Sequence, residues 1–435
     1  MSRHDAPSSR KITMENNSNS QGPSTTSKSQ TSSPLAGIRV LEVGSSISGP
    51  AAGRLLADLG ADVIKIEPPE GDTVRKWGVL APDESSWFFK SLNRGKRFVM
   101  LDLHTSEGVE TLRSLIAGSD ALIENFVPGR MARWGLGYED VRSINDRLIY
   151  ISISGFGQDG PYTERPGYGN IAESVGGLRY ITGFPDRPPL RVGVSIADEL
   201  SGLYAVVGLL AALRAREREG HGDHIDVALA EAILSVTEGT LPEYGATGQV
   251  RERAGNLYLS SAPSNTYPTK DERWVAIGAN SNSLFRRFCL AIGSPELADD
   301  ARFADVPARV INEEELDDII ADWTRSHTCD DIESLLRKAG VPVGPVMSVA
   351  HIAKDPHFRA RNMVASIPDD EGNQVMTPGI VPKFQRYAVQ LGNAAGRIGR
   401  DTEAVLAERA NPTQEAKTTP RADAKAAAAA NKVTG

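Results

Sequence analysis

Asp198 is set among small residues, in surroundings that suit a covalent nucleophile. It lies in PPLRVGVSIADELSGL, just before the apolar stretch LYAVVGLLAALRAR at 203–216, which reads as a helix with a basic end. An acid at that place makes a good helix N-cap, the ordinary role for such a residue. Gly193 and Ala197 beside it are small enough to let a ligand approach the backbone. A helix N-terminus also keeps a carboxylate ionised when it is partly desolvated, and an ionised carboxylate can attack an activated acyl group.

Three other segments could hold an anion. In FKSLNRGKR, Lys90, Arg94, Lys96 and Arg97 fall close together in an acidic chain. They make either a solvated loop or a phosphate site, because a phosphate group needs fixed cations and donors. ENFVPGRMAR follows a strand, and ligands of open α/β sheets bind at the carboxyl ends of strands. Asn125, Arg130 and Arg133 are then placed for an adenine nucleotide. The turn GSSISGP, Gly44 to Pro50, lacks the G-x-G-x-x-G spacing of a nicotinamide site, although Glu67 ends the next strand where a ribose-binding acid would stand. A helix N-terminus at this turn can still meet a phosphate or a thioester oxygen.

The elements that must carry these residues alternate. GIRVLEVG, ADVIKIE, RFVMLDL, ALIENF and LIYISISGFG read as strands, and SISGPAAGRLLADLG and SEGVETLRSLIAGSD as helices. The pattern predicts an α/β fold with a parallel, doubly wound sheet. A large domain is expected over 35–230, a linker over 231–268, a smaller α/β domain over 269–345 and a return segment over 346–410 that completes the large domain. The tails 1–34 and 411–435 are polar and read as disordered.

The chain has 435 residues, a formal net charge of -8, and two cysteines, Cys289 and Cys329, 40 residues apart. That balance disfavours general nucleic-acid binding, and the cysteines imply neither a disulfide framework nor a zinc site. His221 and His224 are close, but nothing nearby completes a metal site. No apolar run in the sequence approaches the ~18 residues of a membrane span, and no signal peptide is read, so the cytoplasm is the default location.

Taken in order, PLAGIRVLEVG, GPAAGRLLADLGADVIKIEPPEGD, LNRGKR, ENFVPG, GFGQDGPY and VSIADELSGLYA resemble the class III CoA-transferase family, which includes formyl-CoA:oxalate and carnitine CoA-transferases and the related α-methylacyl-CoA racemases. Arg253 to Asn256 and KAGVPVGPV at 338–346 continue the likeness, which spans about Leu35 to Thr402. The resemblance implies a Rossmann-like large domain, a small domain, long linkers and an interlocked homodimer. It implies Asp198 as the catalytic aspartate. It implies coenzyme A contacts at Ser46, Ile47, Lys96, Arg97, Leu101, Asn125 and Arg133, with Arg165 a further phosphate contact, and no cofactor or metal beyond the acyl-CoA substrate.

Departures from the family narrow the substrate. Racemases place a His-Asp pair where this chain has Tyr168 and Gly169, neither of which takes a proton from an α-carbon near neutral pH. Oxalate enzymes carry Tyr-Glu there and a glutamine where Ile47 stands, so a larger acceptor acid is expected. The implied reaction moves CoA from an acyl-CoA donor, succinyl-CoA among the candidates, to a carboxylic acid through an aspartyl anhydride and an aspartyl-CoA thioester. Backbone N–H groups near Ser46 and Ile47 are the candidates for the oxyanion. Arg191 either pairs with the acceptor carboxylate or is structural. An acyl-CoA racemase or epimerase on the same scaffold, and a nucleotide-binding module without catalysis, are the alternatives.

Overall fold

The computed structural model describes residues 32–410, so the polar tails fall almost wholly outside the described residues. Six short strands form one parallel sheet: β1 (Arg39–Glu42), β2 (Asp62–Glu67), β3 (Arg97–Met100), β4 (Ala121–Glu124), β5 (Ile149–Ser154) and β6 (His224–Ala228). Their order is β3-β2-β1-β4-β5-β6, with every neighbouring pair parallel. Near-continuous apolar runs such as VIKI and YISI suit strands covered on both faces. The order reverses between β1 and β4, and the crevice outside their carboxyl ends is where such sheets take ligands.

Helices α1 (Ser48–Asp58), α2 (Trp87–Leu92), α3 (Ser106–Ile116), α4 (Arg130–Arg133), α5 (Tyr138–Arg142), α6 (Gly169–Val175), α7 (Leu178–Ile181), α8 (Ile196–Glu219) and α9 (Leu229–Leu234) complete this part. Helix α8 has 24 residues and begins well before the predicted 203–216. Asp198 and Glu199 in its first turn complement the helix dipole, and Gly220 ends it at φ 88°. By length and composition α8 is apolar enough to cross a membrane, against the expectation that no stretch came near this. In the structure it packs along α1, α6, α9, β5 and β6, and Ala205 and Leu209 are fully buried in the core shared with them.

Beyond α9 the predicted linker is more structured than expected. It holds helix α10 (Thr240–Thr247) and strand β7 (Ser264–Pro268). β7 pairs antiparallel with β8 (Trp274–Gly278), which pairs antiparallel with β9 (Val343–Pro345). Helices cover this small sheet around Phe285, Phe288, Leu316, Ile320 and Leu336, and both cysteines are free and buried in the same core. After a two-stranded hairpin, β10 (Val364–Pro368) and β11 (Gln374–Pro378), the chain comes back to the large sheet. Gly95 N–H donates to the Asn393 carbonyl, and Phe98 N–H to Asp401 Oδ2.

A buried charge cluster sits under the first turn. Lys65 Nζ lies 2.9 Å from Glu42 Oε1 and 3.0 Å from Asp72 Oδ2, and it also donates to the Gly44 carbonyl. Lys96 Nζ lies 2.6 Å from Glu42 Oε2. Arg75 pairs with Glu67 at 2.6 Å. Removing one member of such a set strands the others without compensation. Lys65→Met is expected to lose about 3–5 kcal/mol of stability, read by urea denaturation followed by circular dichroism. An unchanged midpoint would show that Glu42 and Asp72 do not need this cation.

Candidate active site

Three helix starts meet around Asp198. The first belongs to α1. Its entry turn is bent at Ser46, a non-glycine residue at φ 68°. Asp72 Oδ1 accepts the Ser46 N–H at 3.1 Å, and Asn125 Oδ1 accepts the Ser45 N–H at 2.9 Å. Asn125 Nδ2 donates back to the Ser45 carbonyl and to Ser48 Oγ. A side chain at Gly44 would run into this amide, since a Cβ there would lie 2.7 Å from Asn125 Oδ1. The end of β4 thus clamps the end of β1.

The second start is that of α8. Gly202 lets it come against α1: a Cβ at 202 would lie 3.0 Å from the Ser48 carbonyl oxygen and 3.1 Å from Ala51 Cβ. Asp198 is four residues earlier on the same helix face, so this contact brings its carboxylate towards the Ser46–Ser48 turn. The third start is that of α6, whose first residue is Gly169. A Cβ there would fall 2.0 Å from Asp198 Oδ2. The missing side chain therefore leaves the space that the carboxylate occupies.

Asp198 is half-buried and makes no ion pair, and no side-chain hydrogen bond to another residue, among the described residues. Burial, and then the like charges of Glu173 and Glu199, push its carboxyl up to about 6. Its own backbone N–H and Arg191 offset part of that rise. It is mostly ionised at neutral pH and more basic than an exposed aspartate, which favours attack on a thioester carbonyl. The residue is not the N-cap that the sequence suggested. Ser195 holds that position and Asp198 is third in the helix.

The cation cluster of 90–97 does not present itself to a ligand, and the reason is charge pairing within the chain. Lys90 is buried between Asp83 and Asp369, and Arg94 is buried on Asp58. Lys96 is buried against Glu42 and donates to the Pro50 carbonyl, so its expected phosphate contact has no free ammonium to make it. Arg97 is half-buried and pairs with Asp62 and Glu408. Leu101 is buried in the apolar core beside β3. Two further expectations change. The Ser46 N–H is already bonded to Asp72, which leaves the Ile47 N–H unbonded at that turn among the described residues. Ala197 is buried in the core rather than open to a ligand, while Gly193 is exposed.

Other candidate residues stand at the surface without a carboxylate partner among the described residues. Arg130 and Arg133 are exposed just after β4, Arg130 over the rings of Phe126 and Trp134. Arg165 is exposed and lies 3.5 Å from the centre of the Tyr162 ring. Tyr168 is 75% exposed, and Arg191 is exposed within electrostatic reach of Asp198. The histidine pair separates: His224 stacks on Tyr138 and meets Ser152 Oγ at 3.0 Å, while His221 is exposed. Sequence reading passed over Asp72, Gly202 and Glu173. The last would have been found from its four-residue spacing to Gly169, had a helix been read at YGNIAESVGG.

Comparison with known proteins bears on the family and the fold. The family model described as CoA-transferase family III matches residues 35–402. The chain is 44% identical to succinyl-CoA–D-citramalate CoA-transferase of Chloroflexus aurantiacus, over 81% of this chain and 88% of that protein. It is 38% identical to acetyl-CoA:oxalate CoA-transferase of Acetobacter aceti, over 81% of this chain and 90% of that one. The crystal structure of a CaiB/BaiF family protein of Brucella suis superposes with a TM-score of 0.79 at 38% identity, covering 87% of this chain and all of the other. A match that runs through both sheets and the return segment makes this chain a member of CoA-transferase family III.

Proposed function

We propose that the enzyme moves CoA from succinyl-CoA to a dicarboxylic acid, with D-citramalate as the type of acceptor, by way of a covalent adduct on Asp198. The observation that carries this reading is a half-buried carboxylate with no counter-ion, set where three helices begin. The acceptor and donor classes rest on the 44% identical relative.

Asp198 attacks the donor thioester carbon, the C–S bond breaks, and CoA leaves as a thiolate. The thiolate attacks Asp198 Cγ and expels the donor acid, leaving an aspartyl-CoA thioester. The acceptor carboxylate attacks that thioester and forms a second anhydride. The thiolate then takes the acceptor acyl group and frees Asp198. Every step exchanges one activated acyl group for another, so no energy-rich phosphate is consumed. The Ile47 N–H, at the start of α1, is the donor we assign to the developing oxyanion. Arg130, Arg133 and Arg165 are the cations we assign to the phosphates of CoA. Lys96, Arg97 and Asn125 act one step back, by holding β3 and the α1 turn in place. Leu101 helps to wall that side. Gly169 leaves the space that the Asp198 carboxylate takes, and Tyr168 and Arg191 are the residues we assign to the rim of the acceptor site.

We further propose an interlocked homodimer working in the cytoplasm. Leu203, Val207 and Leu210 on α8, Leu241 and Tyr244 on α10, and Val250 are large apolar residues left exposed in a single chain. A patch of that kind marks a surface that meets protein. Sedimentation at micromolar concentration is expected to give twice the chain mass.

Asp198→Asn keeps the shape of the site and removes the nucleophile. It is expected to lower the transfer rate by about 10⁴-fold or more and to abolish the mass adduct formed with donor alone, with CoA binding retained. Carboxylate oxygens labelled with ¹⁸O in the acceptor should appear in the released donor acid after repeated turnover, because one of them stays on Asp198. Label confined to the new acyl-CoA and unused acceptor would exclude the anhydride route. The group must be ionised to react, so kcat/KM should fall about tenfold per unit as pH drops below about 6. Gly169→Ala puts a methyl group into the Asp198 carboxylate. It should slow adduct formation about 10- to 100-fold while the thermal transition stays in place.

A further inference from the structure

The mechanism makes no use of the buried carboxylate nearest to Asp198. Glu173 sits on α6 four residues after Gly169, on the same helix face one turn further on. Gly169 is the residue whose missing Cβ makes room for Asp198 Oδ2, and α6 packs directly on α8. Glu173 is 1% exposed. Its Oε2 lies 3.2 Å from Arg179 of α7, and its Oε1 is enclosed without a hydrogen-bond partner among the described residues. Leaving a carboxylate oxygen unsatisfied in a dry site costs stability, so the position calls for a reason.

We propose that Glu173 is a positioning residue that sets the charge balance of the reaction: its carboxylate repels ionised Asp198 and so favours the covalent adduct, in which Asp198 is neutral. This rests on Asp198 being the nucleophile. The balance of the first half-reaction shows why a fixed negative charge matters. The donor C–S bond breaks and a C–S bond to Asp198 Cγ forms. One Asp198 oxygen leaves in the donor acid, and the negative charge leaves with it. No proton is taken up or released. A fixed carboxylate beside Asp198 therefore destabilises the free enzyme and leaves the thioester untouched.

The other charges facing Asp198 act less directly. Glu199, on its own helix, is held 3.3 Å from Arg54 of α1. Arg191, from the segment before α8, attracts it from an exposed position. Arg179 faces Glu173 and moderates its field. Glu231 of α9 is exposed, and Asp226 and His224 of β6 interact with Glu124 and with each other. Burial and the Glu173 charge are the two largest causes of the raised Asp198 carboxyl, in that order.

Glu173→Gln keeps size and can still accept from Arg179, but carries no charge. With succinyl-CoA as the probe, two readouts decide the matter. The pH at which single-turnover adduct formation is half-maximal should move down. At pH 8, where Asp198 is ionised in both proteins, the equilibrium fraction of enzyme carrying CoA on Asp198 should fall several-fold, about tenfold for one unit of lost repulsion. A purely structural Glu173 would change the melting temperature and leave both readouts where they were, and that result overturns the proposal. Should the amide not fold, Glu173→Met fills the same volume without charge and is read the same way. Glu173→Asp retains the charge and should keep the wild-type pH profile. If intact mass shows no adduct on Asp198 in the unaltered enzyme, the covalent reading itself fails, which is a different outcome from an adduct insensitive to position 173.

Discussion

A carboxylate that is half out of water and has no counter-ion is costly to keep in a chain with 48 lysines and arginines. An ion pair would relieve that cost, but it would also lower the basicity that the proposed attack needs. The structure resolves this by giving nearby cations other partners. Arg54 lies between Asp58 and Glu199, Arg179 holds Glu173, Arg94 holds Asp58, and Lys65 and Lys96 share Glu42. Each pairing commits a cation to a carboxylate other than Asp198. Besides the backbone N–H of Asp198 itself, Arg191 offsets part of the rise, and it does so from solvent, where screening weakens it.

The same pairings build the frame. Lys65 joins β2 to Glu42 on β1, to the Gly44 carbonyl and to Asp72 in the loop after β2. Asp72 in turn holds the Ser46 N–H, and Asn125 holds the residues on either side of it. A turn with a non-glycine residue at positive φ is strained, and it persists where its surroundings over-determine it. Here two side chains from two different loops do so. The Ile47 N–H that we propose as the oxyanion donor would thereby be fixed before any substrate arrives, and donors already in place need no reorganisation when charge develops.

Much of the large sheet was legible because its signals are local. Apolar runs of four to six residues and helical periodicity between them gave the strands β1 to β5 close to where they stand. Asp198 was singled out from its small neighbours and from the ordered motifs around it, although Ala197 turns out to be buried in the core. What could not be read was the fate of charge. The run Lys90, Arg94, Lys96, Arg97 looks like a phosphate loop because its partners Glu42, Asp58, Asp62, Asp369 and Glu408 are distant in sequence and near only in the fold. The start of α8 was misplaced for a related reason. Val194 and Ser195 are poor helix formers and hide a boundary that the acids of the first turn help to set. Strand β7 was missed because SNTYP has little apolar pattern, and only its pairing with β8 makes it a strand.

Helix α6 shows how few residues separate a site from its scaffold. Its seven residues supply an absence at Gly169 and a charge at Glu173, one turn apart on the face that meets α8. The absence lets Asp198 stand where it does, and the charge makes standing there unfavourable while Asp198 is ionised. Both effects need α6 to be rigid, because a small retreat would let water in and screen the repulsion. Ala172, between them, is fully buried in the core with Ala197 and Ala205 of α8. Small residues on both helices permit that close approach. With Asp198 as the proposed nucleophile, its reactivity would be a property of how tightly two helices pack, and a change anywhere along that seam should be felt in chemistry before it is felt in the fold.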